Sequence, residues 1–237
     1  MNLENRVAVI TGASGGLGSV VTRSLAEEGA CLALLERDSS RLVRLAESLA
    51  LPAERLLTQQ VDLLDSASTS AAAKEIAAHF GKIDILLHLV GGWTGGKLLT
   101  EASSTDLEFM LNQHAWTTFH VIQAFVPHLV QNGWGRVVMV TSPYAARPSA
   151  KGGIYAAGKA AQETLVLALS QELKGTGVTA NLLQAKTIDA KRLKISEPSP
   201  ENASWTTPEE LTAGILHLLS DEAATINGAR IPLYGSY

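Results

Sequence analysis

Thr11-Gly12-Ala13-Ser14-Gly15-Gly16-Leu17-Gly18 stands between a short apolar run at residues 7–10 and an amphipathic stretch beginning at residue 17. Glycines at 12, 16 and 18 allow a tight turn and let another group approach the backbone closely. The helix that follows offers unpaired N–H groups and the positive end of its dipole, a setting suited to a pyrophosphate. A glycine string alone is a weak signal and is also compatible with a plain helix-capping turn. Its place between a first strand and a first helix is the context a dinucleotide-binding unit requires. Gly12, Ser14, Gly15, Gly16, Leu17 and Gly18 are therefore the first candidate cofactor-binding residues.

Working outward, apolar strand-like runs at residues 7–10, 31–35, 56–61, 83–90, 137–140, 178–183 and 230–233 alternate with helical patterns at 17–28, 39–49, 66–80, 107–131, 154–173 and 208–220. Leu42, Leu45, Ala46 and Leu49 share one helix face, as do Ala72, Ile76 and Phe80. The strands read as continuous apolar runs rather than as alternation, which is the pattern of strands buried on both faces of a parallel sheet. The expectation is an α/β fold: a Rossmann-type doubly wound parallel sheet of about seven strands with helices on both faces, in a single domain spanning 1–237. Residues 189–208, rich in Pro, Ser, Glu and Lys, are long for an α/β connection and read as a substrate-binding loop or lid.

Ligands in such sheets bind outside the carboxyl ends of the strands, so the residues just after each strand carry the functional reading. Glu36 lies 24 residues after Gly12, where an acid can take the adenosine ribose hydroxyls. A carboxylate there disfavours a 2′-phosphate, so NAD(H) is favoured. Arg37 keeps NADP(H) open, because a guanidinium can pair with that phosphate. Asp62 and Leu63 follow the third strand, with Asp62 placed for the adenine amino group. Val90, Gly91 and Gly92 follow the fourth, where the backbone passes close to the cofactor. Ser142 follows the fifth. Tyr155 and Lys159 are four apart and share a helix face. A free phenol titrates near ~10 and is a poor base at neutral pH. An ammonium beside it lowers that value and makes it a better general acid or base. Taken alone, such a pair is also an ordinary surface couple; the glycine loop and Ser142 make the difference.

With residues 11–18, Asp62, Gly91, Ser142, Tyr155-Ala156-Ala157-Gly158-Lys159, Asn181 and Gly228 in view, the chain resembles the short-chain dehydrogenase/reductase superfamily from Arg6 to Gly235. The resemblance implies an NAD(P)(H)-dependent oxidoreductase in which Tyr155 handles the proton that accompanies hydride transfer between nicotinamide and a carbonyl or hydroxyl group. It further implies that Lys159 holds the nicotinamide ribose, that Ser142 polarises the substrate carbonyl, and that the backbone of Thr187 and Ile188 meets the carboxamide. Four places, covering five residues, depart from the family pattern. His88 stands where an asparagine is usual and reads as a satisfied core histidine. His114 takes the place of a catalytic asparagine, either as part of a proton relay or as a helix residue without chemistry. Ala185-Lys186 replaces Pro-Gly, and Ala190 replaces a Thr. A second, narrower resemblance links 91–96, Gln113 with Trp116-Thr117, and 204–206 to dihydropteridine reductases. It suggests Trp93, Tyr144 and Trp205 as an aromatic substrate pocket, with packing or lid anchoring as the plain alternative.

The totals exclude other classes. The chain has 237 residues, 46% of them hydrophobic and 18% charged, with a net charge of −4. No basic block points to nucleic acid, no apolar run approaches a membrane span, and no metal site is expected. One cysteine, Cys31, rules out an intrachain disulfide, and residues 1–6 lack the pattern of a signal peptide. The expected setting is the cytoplasm. Expected partners are a small-molecule substrate and copies of the chain itself, as a homodimer or homotetramer. A cofactor-binding protein with little catalysis, such as a redox sensor, is the competing class.

Overall fold

The computed structural model describes residues 2–234; Gly235, where the family resemblance ends, lies outside them. Strands β1 (Val7–Thr11), β2 (Cys31–Glu36), β3 (Leu56–Gln60), β4 (Ile85–His88), β5 (Gly135–Thr141), β6 (Val178–Gln184) and β7 (Arg230–Pro232) form one sheet. All pairings are parallel and the order is β3-β2-β1-β4-β5-β6-β7. The helices are α1 (Gly18–Glu27), α2 (Ser39–Leu49), α3 (Ser66–Phe80), α4 (Ser104–Leu111), α5 (Thr117–Gln131), α6 (Gly153–Glu172), α7 (Leu193–Ser196) and α8 (Pro208–Leu219).

The continuous apolar strands are explained by what covers each face. Val7 and Val9 of β1 pack with Ala72 and Ile76 of α3, Val121 and Phe125 of α5, and Val166 of α6. Ala8 and Ile10 point the other way, onto Val21 and Leu25 of α1, Leu42 and Leu45 of α2, and Leu211 and Ile215 of α8. Each fully buried Leu, Ile or Phe side chain contributes on the order of 1.5–3 kcal/mol. The sheet is doubly covered, as expected. Among the described residues no helix is long and apolar enough to cross a membrane.

Several boundaries differ from the sequence reading, each for a local reason. The run at 83–90 yields only β4, because Asp84 caps the start of β1 and the chain leaves the sheet after His88 to pass the glycine loop. β5 starts earlier than expected: the buried guanidinium of Arg136 bonds the Gly135 carbonyl and lies over the Trp134 ring, so a charged residue sits inside the strand. The pattern at 107–131 is not one helix. α4 begins at a capping box made by Ser103 and Asp106, and a π-helical turn, Asn112–Trp116, separates it from α5. The segment 189–208 is built rather than irregular. Asp189 caps α7 by accepting from Leu193 N and Lys194 N, Ile188 bridges Thr206, and Arg192 and Lys194 pair with Glu209 and Glu210.

The sheet order reverses between β1 and β4, which opens a crevice at their carboxyl ends. At the opposite end the same strands are tied together by Asp84. Its buried carboxylate accepts from Val7 N at 2.8 Å and pairs with Arg6 at 3.4 Å and Lys82 at 3.1 Å. Asp84→Ala strands these donors, and urea unfolding is expected to show a loss of about 2–3 kcal/mol, with a smaller loss for Asp84→Asn. An unchanged midpoint would show that water replaces the carboxylate at no cost.

Candidate functional site

The crevice is a cleft of two adjoining lobes, of about 290 and 350 Å³, that share Gly12, Gly15, Leu89, Val90 and Gly91. Its floor depends on close backbone contact. Gly12 has φ +69°, and a Cβ there would stand 3.1 Å from Leu89 C and Val90 N. A Cβ on Gly18 would collide with the Gly12 carbonyl oxygen, so only glycine lets α1 start where it does. Gly16, Leu17 and Gly18, at the entry to α1, thus line the cleft at the positive end of the helix.

In the first lobe, Glu36 ends β2 and is held by the glycine loop. Ser14 Oγ donates to Glu36 Oε2 at 2.6 Å, and Arg37 N donates to Oε1 at 3.0 Å. Arg41 Nη2 donates to Ser14 O at 2.9 Å, locking the loop from the far side. Arg37, Asp62 and Leu63 line the same lobe. In the second lobe Gly16, Leu17, Gly92, His114, Tyr155, Lys159, Ile188 and Ala190 come together. Ser142 is buried at the end of β5 beside Tyr155, whose phenol it favours in the ionised form, and its Oγ accepts from Tyr144 N at 3.4 Å. Lys159 is buried, and its ammonium donates to Val140 O and to Gln162 Oε1, both at 2.9 Å. These residues fit a dinucleotide by their shape: a backbone cradle that any Cβ would fill, an acid fixed at one end, and a cation at the other.

The family described as short chain dehydrogenase matches residues 6–199. The chain belongs to the short-chain dehydrogenase family. An uncharacterized oxidoreductase of Staphylococcus epidermidis is 29% identical over 79% of this chain and 80% of its own length. The D-threitol dehydrogenase of Mycolicibacterium smegmatis is 28% identical over 99% and 94%, and the meso-2,3-butanediol dehydrogenase of Serratia marcescens is 28% identical over 99% and 95%. The crystal structure of an NAD+-bound xylitol dehydrogenase superposes with a TM-score of 0.90 at 20% identity, covering 100% of both chains. This short-chain dehydrogenase is an oxidoreductase of that family.

Its departures from the family pattern have physical explanations. His88 pairs with Thr11 across the β1–β4 register. Thr117 Oγ1 gives its proton to Gln113 O, so it accepts from His88 Nε2, and Thr11 Oγ1 then donates to Nδ1 at 2.8 Å. The ring is neutral and satisfied, and burial holds its pKa down at about 3. His114 is turned inward by the π-helical turn. Its Nε2 donates to Gly92 O at 3.0 Å, while the buried Nδ1 has no hydrogen-bond partner. Burial, with the Lys159 charge beside it, holds His114 down at about 3 as well. Gly158 and Gly91 make room for this ring: a Cβ would lie 3.1 Å from Cδ2 in the first case and 3.3 Å from Cε1 in the second.

Two expectations are corrected here. Lys159 does not lower the Tyr155 pKa in this arrangement, because its ammonium is turned to Val140 O and Gln162; burial raises the phenol, against a lowering hydrogen bond from Ser142. The three suggested aromatic residues are not gathered into one pocket. Tyr144 stands close enough to Tyr155 to couple with it electrostatically. Trp93 is 67% exposed and packs toward Gly95, whereas Trp205 lines a separate hollow with Lys194 and Glu210. Thr187 meets Thr206 through its carbonyl, and Ile188 reaches the cleft. Sequence reasoning missed Arg41, Thr118 and Gln162. The signal for Gln162 was available: a polar residue on the inner face of α6.

The two histidines set a pH dependence. Both titrate near 3 when folded and near 6.5 when unfolded. Below pH 6.5 the unfolded chain takes up protons that the folded chain refuses, so stability is full above 6.5 and falls as pH drops. Each histidine removes about 1.4 kcal/mol of stability per pH unit in that range. Urea unfolding of His88→Asn should therefore lose about 1.4 kcal/mol less than wild type on going from about pH 7.5 to about pH 5.5. Equal losses would contradict the neutral, buried assignment.

Proposed function

We propose that the protein is an NAD(H)-dependent dehydrogenase that interconverts a small secondary alcohol and its carbonyl compound, with Tyr155 as general acid or base. The observation that carries this reading is that Tyr155 and Lys159 line the lobe opened by the glycine loop, with the buried Ser142 beside Tyr155. In the cleft, N–H groups at Gly16, Leu17 and Gly18 hold the pyrophosphate, and Glu36 takes the adenosine ribose hydroxyls. Asp62 faces the adenine, Val90–Gly92 backs the nicotinamide half, Lys159 serves its ribose, and Thr187 and Ile188 serve its carboxamide. The dinucleotide supplies the hydride acceptor for oxidation or the hydride donor for reduction. Tyr155 Oη takes the substrate hydroxyl proton in one direction and returns it in the other. Ser142 Oγ, beside Tyr155, orients the substrate oxygen. His114, held neutral with its pKa near 3, offers its free Nδ1 lone pair as a hydrogen-bond acceptor in this lobe and is a poor proton acceptor at neutral pH. The segment 189–208 acts as the lid over the glycine loop: Ala190 Cβ already lies 2.7 Å from where a Cβ on Gly16 would be.

Names of the relatives, D-threitol dehydrogenase and meso-2,3-butanediol dehydrogenase, support a short polyol or vicinal diol as substrate class. The test is NAD+ reduction by a panel of such alcohols, with wild type against Tyr155→Phe. Turnover should fall by about a thousandfold or more, on the scale of general acid–base catalysis, while NADH fluorescence titration stays close to wild type. Near wild-type turnover would remove Tyr155 from the chemistry. Tight NADH binding with no turnover across alcohols, carbonyls, quinones and pterins would favour the cofactor-binding protein instead.

Cofactor choice rests on Glu36. Ser14 and the Arg37 amide fix the carboxylate in the first lobe, while the Arg37 side chain is exposed. NADH should outperform NADPH in kcat/KM, and Glu36→Ala should narrow the preference by about tenfold or more, the equivalent of about 1.4 kcal/mol. An unchanged ratio would place the discrimination elsewhere.

The protein partner in this reading is a second copy of the chain. Phe109, Trp116 and Phe119 are exposed along α4, the π-helical turn and α5, with Trp116 and Phe119 stacked edge to face. A large apolar patch of this kind marks an association surface. Sedimentation should show a dimer or tetramer, and Trp116→Glu should dissociate it; a monomeric wild type overturns this.

A further inference from the structure

Gln162 is completely buried on α6, three residues after Lys159 and on the same face. Both ends of its amide are used. Oε1 accepts from Lys159 Nζ at 2.9 Å, and Nε2 donates to Thr118 Oγ1 of α5 at 3.2 Å. An ammonium has three donors. Val140 O takes one and Gln162 another, which leaves one N–H for the cleft. We propose that Gln162 is a positioning residue for Lys159: its amide, anchored by Thr118, holds the ammonium at the cleft floor and keeps it protonated there. The proposal rests on the reading in which Lys159 serves Tyr155 and the cofactor.

The physical need is clear from the surroundings. Burial pulls Lys159 down to about 7, against the raising charge of Glu163. The groups facing it are Glu163 and Tyr155 on α6, His88 on β4 and His114 in the π-helical turn. Both histidines are neutral. Glu163 favours the charged ammonium, but its oxygens are committed elsewhere: Oε1 accepts from Thr141 Oγ1 at 2.9 Å and Oε2 from Arg230 at 2.6 Å. A neutral amide supplies the missing acceptor without adding a second buried charge. A hydrogen bond to the charged form favours that form, and its loss in a buried site favours deprotonation.

The test uses the full chain with 13C-labelled lysine Cε, the Lys159 signal being assigned by its loss in Lys159→Met. In Gln162→Met the Lys159 titration should move down by about one pH unit, and in Gln162→Glu, where a carboxylate replaces the amide, up by about one to three units. Opposite shifts are something a packing role would not produce. Thr118→Val, which keeps the fill of the core and frees the amide, should move the titration down by less than Gln162→Met does, and it stands in where a Gln162 variant does not fold. NADH fluorescence titration is the second readout: in Gln162→Met, affinity should drop at a lower pH than in wild type. Identical Lys159 titrations in all variants would overturn the proposal. Shifts as expected, together with full turnover in Tyr155→Phe, would uphold it while removing the functional reading on which it rests.

Discussion

A lysine ammonium buried at the centre of an α/β domain constrains everything packed around it. Isolated, such a charge costs several kcal/mol or more, so it survives only where acceptors surround it. Lys159 has the carbonyl of Val140 at the open end of β5 and the amide of Gln162 one turn along its own helix. The first acceptor exists because β5 runs on past the end of β4, leaving Val140 beyond that pairing; the second exists because α6 turns a polar residue inward. The location of the charge therefore depends on both the sheet and the helix. The ends of β1 and β4 then bring the glycine loop within reach of it.

The same constraint explains the neighbours. A second cation near Lys159 would raise the cost further, and the two histidines that flank it are both held neutral. His88 does so as a hydrogen-bonded link between Thr11 and Thr117, and His114 by burial against Gly91 and Gly158. An asparagine at either position would have no proton to lose. A histidine can occupy the site only because the pocket holds its pKa near 3. The π-helical turn is part of that arrangement, since it turns residue 114 inward between the two glycines.

Much of this was legible in the sequence. The order of elements, the doubly covered sheet and the glycine loop follow from the spacing of apolar runs and from glycines, because parallel strands bury both faces and glycine alone tolerates the backbone contacts at 12 and 18. That Tyr155 and Lys159 open onto one lobe was legible too, since both lie on the first turns of one helix. What was not legible depends on three-dimensional register. The π-helical turn leaves no trace in apolar spacing, as one extra residue shifts every later position alike. The aromatic trio failed for a related reason: Trp93 and Trp205 sit on connections, whose paths are set by hydrogen bonds such as Gly96 N to Lys151 O and Trp205 N to Asn202 O rather than by periodicity. The direction of the Tyr155 pKa was missed because four-residue spacing puts Lys159 on the right face without saying which acceptors claim its ammonium.

These features together determine how charge can change within the cleft. With His88 and His114 neutral throughout the physiological range and Glu163 tied to Arg230, the one group facing Tyr155 from below whose charge changes near neutral pH is Lys159. Tyr155 is itself pushed upward by burial, so its phenolate needs a nearby positive charge more than an exposed tyrosine would. With the ammonium turned to the Val140 carbonyl and the Gln162 amide, its charge stays at the cleft floor, and the phenol is set by its own burial and by Ser142. The two groups therefore serve the cleft through separate surroundings: acceptors around the lysine, burial around the tyrosine.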